Sequence, residues 1–171
     1  MLILLGLICY YYDKYHNNIR EEKKMALETF KATSKLVKGL QVDTHVRNFT
    51  VRMDEPPSLG GTDTGMNPVE ALLAALGSCQ AIVAGAFAKS QGIDLQDFWL
   101  DVEGDLDPDG FLKGAPGVRM GFQEVRITPH IKTSSSAEDV AKFIKFVESR
   151  CPVGDVVKNG TKIKVTEAVI E

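Results

Sequence analysis

Residues 67–92, NPVEALLAALGSCQAIVAGAFAKSQG, decide the architecture of this chain. Asn67 can accept from a free backbone N–H at a helix start, Pro68 has the φ of a first helical residue, and Glu70 can reach back in a capping box. Alanine and leucine then occupy nearly every face until Gly92 offers a stop. The spacing predicts a central core helix from 67 to about 91, buried all round. Gly77 and Gly85 would weaken an exposed helix by about 1 kcal/mol each relative to alanine. Their presence predicts a close approach by another helix or a second subunit.

Outward from this helix, the chain shows regular punctuation. Upstream, DEPPSLGGTDTGMNP (54–68) holds three prolines and three glycines, so no regular element passes through it. Before that loop, QVDTHVRNFTVRM (41–53) reads as one or two strands. Downstream, residues 98–104 and 121–133 read as strands joined by the loop DLDPDGFLKGAPG. Ser135 with Glu138 forms a second capping box, followed by Val140, Phe143, Ile144 and Val147 at helical spacing. This helix is amphipathic and covers one face of the sheet. Cys151-Pro152 breaks it and opens a short helix ending near Asn159-Gly160, before a last alternating strand, KIKVTEAVIE. The fold class is α+β, with antiparallel sheet segments around a long buried central helix.

Length and composition narrow the function. A chain of 171 residues, 44% apolar, supports one compact domain with a sizeable core. Its 20 basic and 23 acidic side chains leave a formal charge of −3, so no basic excess prepares a surface for nucleic acid. Three cysteines are too few for a disulfide framework and fit a reducing, cytoplasmic setting. The division expected is an N-terminal extension, 1–36, and a domain, 37–171. The apolar run MLILLGLICYYY (1–12) is too short for the roughly 20 residues of a membrane-spanning helix. As a secretory signal it lacks a positive n-region and a small-residue cleavage site. A natural start at Met25, or a targeting or membrane-surface role for residues 1–24, are the other readings of the segment, and Cys9 within it has no assigned chemistry.

Two thiols are candidates for chemistry. Cys79 lies inside the apolar helix, where a small inert core residue is the bland alternative to a reactive group. Cys151, followed by proline at a helix start, faces unpaired backbone N–H groups and the positive end of the helix dipole, which lowers a thiol pKa. The two stand 72 positions apart, which is no metal-ligand spacing, and His16, His45 and His130 form no matching cluster. A nucleophile and resolver that meet only in the folded protein are compatible with this spacing.

Together, DEPPSLGGTDTGMNPVEALLAALGSCQA and the distant ESRCPVGDVVKNGTKIKV resemble the OsmC/Ohr family of organic hydroperoxide reductases, from about residue 40 onward. The resemblance implies an intertwined homodimer with two long helices at its centre and active sites at the subunit interface. It implies that Cys79 is the peroxidatic thiolate and Cys151 the resolving thiol. It further implies a small organic hydroperoxide as substrate and no bound cofactor, with an external dithiol such as dihydrolipoamide as reductant. In the hydroperoxide-reducing branch an acidic residue directly follows the helix-opening proline and pairs with an arginine. Here Val69 stands at that position and Glu70 follows. At about 100° per residue, Glu70 lies half a turn out of phase with Cys79. Glu70 is therefore both a cap and a candidate site carboxylate, and Arg47, in preference to Arg52 on the opposite face, is the candidate cation beside the thiolate. The N-terminus of the Cys151 helix is the other candidate source of positive charge. The alternative to a peroxidase is a redox-sensing or lipid-like ligand-binding dimer that uses the same apolar interface.

Overall fold

The computed structural model describes residues 27–171. The run 1–12, Cys9, His16 and Met25 lie outside the described residues. The protein is α+β, as its patterning predicts, with two antiparallel sheets and one long helix.

The first sheet is a meander of β1 (Thr33–Lys38), β2 (Gln41–Val46) and β3 (Phe49–Met53). The segment 41–53 thus divides into two strands, and β1 is one that alternation did not disclose. Gly39, at φ 58°, turns the chain between β1 and β2, and Arg47, at φ 56°, turns it between β2 and β3. Asp43 pairs across the ladder with Arg52, whose Nε and Nη2 both donate to its carboxylate at 2.8 Å. Among the described residues this sheet rests on little besides its own strands, and Leu36, Phe49 and Val51 are exposed.

The long helix, α1 (Pro68–Phe87), begins as its sequence dictates. Asn67 Oδ1 accepts from Glu70 N at 2.9 Å, and Glu70 Oε2 accepts from Asn67 N at 2.8 Å. A short 3-10 turn, Lys89–Gln91, carries the chain to Gly92, which is left-handed at φ 72°. The second sheet pairs β4 (Leu95–Asp105) with β5 (Glu124–Thr133) in a register that sets Phe98 opposite Ile131 and Val102 opposite Ile127. Alternation turns these residues toward α1 and leaves Trp99, Asp101 and Glu103 on the outer face. At Gly77 an added Cβ would stand 3.2 Å from Val102 Cγ2, so this glycine lets the helix lie close on β4. Among the described residues, a Cβ added at Gly85 would meet nothing within 4 Å beyond its own turn of helix.

Between β4 and β5, the stretch expected as loop contains a short helix, α2 (Pro108–Lys113), capped by Asp107. The amphipathic helix α3 (Ala137–Ser149) buries Phe143 and Val147 against Val83, Ala84, Ala88 and Ile93. Its cap is Ser136 with Asp139, one residue beyond the expected Ser135 and Glu138. Ser135 is engaged elsewhere, its Oγ accepting from Asp94 N, which leaves the next serine for the helix. The last helix, α4 (Pro152–Asn159), starts at Cys151-Pro152 as expected.

Two expectations need correction. The last strand does not form: residues 160–171 have no ladder partner among the described residues, and Ile163, Val165, Val169 and Ile170 are all exposed. Alternation marks a segment able to pair, but pairing requires an open edge within reach. Coverage of α1 is also one-sided. Leu76, Gln80, Val83 and Ala84 are buried, whereas Ile82 is 71% exposed, because β4, α3 and α4 all pack on the same side.

Candidate functional site

The site is made where α1 meets the start of α4. Cys79 lies midway along α1 and is half-buried; Cys151, the N-cap residue of α4, is buried with 2% of its surface exposed. The fold brings the two free thiols near enough for Cys79 to perturb the titration of Cys151, although 72 positions of sequence separate them. An added Cβ at Gly154 would lie 3.4 Å from Cys151 Sγ and 3.7 Å from Leu76 Cδ1, at ordinary van der Waals distance, so the first turn of α4 packs directly on α1.

The electrostatics of Cys151 reverse the expectation drawn from its helix start. Its Sγ accepts from Gly154 N at 3.2 Å, and the N–H groups of Gly154 and Val153 do favour the thiolate. Burial, followed by the hydrogen bond with Cys79, outweighs them and pushes the Cys151 thiol pKa up. Cys151 is therefore a thiol at neutral pH.

Of the other candidates, Glu70 is engaged as the reciprocal cap of α1, with its carboxylate on Asn67 N. Arg47 occupies the β2–β3 turn, and its guanidinium stacks over the Phe49 ring at 5.1 Å. Arg52 is held by Asp43 on β3. The structure thus brings the two cysteines near each other and leaves Arg47 on the separate sheet. The N-terminal turn of α4 addresses the sulfur of Cys151.

Three features escape a reading of motifs. Asp54 is 2% exposed and organises the loop 54–66: its carboxylate accepts from the backbone of Glu55, Thr62 and Thr64 and from both threonine hydroxyls. These bonds, the Thr62 hydroxyl foremost, hold its carboxyl far below the usual carboxylate range. The sequence signal was the spacing D-x7-T-x-T within a glycine-rich loop. The second is Gln80, 6% exposed, an amide in the buried stripe of an otherwise apolar helix and directly after Cys79. The third is an open cavity of about 740 Å³ between α1, β5, α3 and α4, with Cys151, Leu76 and Gln80 in its wall. It is assembled from distant segments and has no local signature.

The OsmC-like protein family model matches residues 61–166, which take in the second half of the loop, all of α1, and Cys79 and Cys151. The chain is 27% identical over 125 residues to a hydroperoxide reductase of Mycoplasma genitalium, covering 71% of this chain and 82% of that protein. To a hydroperoxide reductase of Mycoplasma pneumoniae it is 25% identical over 120 residues, covering 68% and 78%. In three dimensions it is similar to an OsmC-like protein from Mycoplasma pneumoniae, with a TM-score of 0.69 at 21% identity over 85% of this chain and all of the other. It is also similar to the organic hydroperoxide resistance protein OsmC of Legionella pneumophila, with a TM-score of 0.60 at 21% identity over 80% and 93%. With the matched segment covering more than half of its length and the same fold beneath it, the chain belongs to the OsmC-like protein family.

Proposed function

We propose that the protein is a thiol-dependent peroxidase that reduces organic hydroperoxides, as a homodimer in a reducing, cytoplasmic setting. The observation that carries this reading is the proximity of the Cys79 and Cys151 thiols, brought together by two helix segments that share no sequence motif. Its family membership, and the hydroperoxide reductases to which it is similar, support the same chemistry.

In the first step the Cys79 thiolate attacks the distal oxygen of the hydroperoxide. The O–O bond breaks, the alkoxide leaves and takes a proton as the alcohol, and Cys79 becomes a sulfenic acid. Cys151 then attacks the Cys79 sulfur, forming a disulfide and releasing water. An external dithiol, of which dihydrolipoamide is one, supplies two electrons and two protons to restore both thiols. No bound cofactor enters. In the dimer, Arg47 of one protomer is the candidate cation for the Cys79 thiolate of the other, since its sheet stands away from its own thiols.

The test is oxidation of reduced protein with one equivalent of cumene hydroperoxide, followed by peptide mapping. A Cys79–Cys151 disulfide is expected, with Cys9 remaining free. Cys151→Ser should still oxidise once and retain the sulfenic acid, and Cys79→Ser should lose both steps. Equal consumption of peroxide by wild type and Cys79→Ser would overturn the peroxidase reading. The cavity beside Cys151 would then favour the second reading, a redox-sensing or lipid-like ligand-binding dimer.

A further inference from the structure

Among the described residues, one side-chain polar atom is closed off from solvent without a hydrogen bond: Glu55 Oε2. Its neighbour Asp54 shows the usual outcome, with five donors on one carboxylate. Closing off an acceptor without a donor costs stability, so Glu55 needs a partner that residues 27–171 of its own chain do not supply. Arg47 presents the converse. It is the first residue of the two-residue turn between β2 and β3, left-handed at φ 56°, where glycine is preferred because a Cβ is disfavoured. Arg52 and Arg126 are held by carboxylates, whereas Arg47 meets none among the described residues and lies over the Phe49 ring.

The two groups flank one uncovered surface. The register places Leu36, Val42, Val46, Phe49, Val51 and Met53 on the same face of the meander, and most of these are exposed. Arg47 adjoins that face at the turn, and Glu55 follows Met53 by one strand period at the other end. Arg150, also without a carboxylate, lies over Phe146 on α3 and away from this face. Within one chain Arg47 and Glu55 cannot meet, because β3 and its flanking residues hold their Cα atoms about 20 Å apart at the rise of an extended strand. A second copy turned end for end sets the arginine of each chain against the glutamate of the other, and two-fold symmetry makes the contact twice.

We propose that Arg47 of one copy forms an ion pair with Glu55 of a second copy, across the apolar face of the meander that the second copy covers. The inference rests on the homodimer of the peroxidase reading and supplies the contact that fixes Arg47 within it. A guanidinium has five N–H donors, so one edge held by Glu55 leaves others for the Cys79 thiolate.

The experiment reads mass rather than turnover, with Arg47→Glu and Glu55→Arg in the full chain. Each variant alone sets like charges together at both contacts, and sedimentation should show association weakened by about tenfold or more. Refolded together from urea, the two should regain a dimer of wild-type tightness as a one-to-one mixed species, because both contacts then join opposite charges again. A pair formed inside one chain is not restored by mixing. Glu55→Gln keeps the shape and guards against a folding defect: it should also weaken association, and adding Arg47→Gln to it should weaken association little further. A mixed species no tighter than the single variants, or Arg47→Glu dimerising as tightly as wild type, overturns the proposal. Wild type at the protomer mass overturns it together with the homodimer. A protein that follows the expected pattern but consumes no cumene hydroperoxide fails the peroxidase reading and leaves the ion pair in place.

Discussion

Cys151 carries two opposed influences, and their balance sets when it reacts. Backbone N–H groups at the start of α4 favour the thiolate, while burial and the neighbouring Cys79 favour the thiol and prevail. The disulfide-forming step after peroxide attack should therefore accelerate with pH and still be rising above about pH 8.5, the ordinary thiol value. Decay of the Cys79 sulfenic acid after a peroxide pulse, followed by mass spectrometry from pH 6 to 10, measures this. A rate independent of pH between 7 and 9 would show that Cys151 reacts as a preformed thiolate. The stability linkage has the matching sign. A raised folded pKa contributes stability that is complete below the unfolded value and is lost as pH rises through the folded one. Cysteine followed by proline made the helix start legible, because proline cannot continue the preceding helix. The sign of the pKa shift was not legible, since the packing of Leu76, Gly154 and Cys79 around the sulfur is tertiary.

Among the elements, the loop 54–66 is held by one carboxylate, and its pH dependence follows from that group. The Asp54 pKa is depressed, so its contribution is full above the unfolded carboxylate value of about 4 and is lost as pH falls toward the folded value. Thermal melts should show wild type losing more stability than Asp54→Asn between pH 4 and 2; parallel losses would remove Asp54 from that role. Gly61→Ala tests the same loop sterically, because its Cβ would stand 1.8 Å from Glu55 O. A loss of about 1–3 kcal/mol by denaturant titration is expected for such overpacking. Prolines and glycines in the sequence announced a loop but not an ordered one, because Asp54 finds Thr62 and Thr64 only through the turn between them. The cap of α1 was legible in full, since Asn67 and Glu70 satisfy each other locally. The cap of α3 was displaced by one residue through the tertiary bond from Asp94 N to Ser135.

For the whole molecule, the unsettled surface is the uncovered face of α1. The helix is long and apolar enough to cross a membrane, with a mean hydropathy of 1.6, yet only 22% of that stretch is buried within the protomer. Leu72, Ala75, Ile82, Gly85 and Ala86 are exposed along it. The sequence made α1 apolar on nearly every side without showing what covers each side; one side meets β4, α3 and α4, and the second subunit of the proposed dimer would meet the other. Exposed apolar residues on β1 to β3 and in residues 160–171 add to the surface that association would bury. Gly85 distinguishes this reading, because among the described residues a Cβ placed there meets nothing within 4 Å beyond its own turn of helix. Gly85→Leu should thus be tolerated by an isolated protomer, and even favoured by up to about 1 kcal/mol through helix propensity. In a dimer packed helix against helix, the same side chain would force the subunits apart. Sedimentation at micromolar concentration should give twice the protomer mass for wild type and the protomer mass for Gly85→Leu, with helical circular dichroism retained. Wild type at the protomer mass, or a Gly85→Leu dimer as tight as wild type, would show that this face of α1 is not where two copies meet.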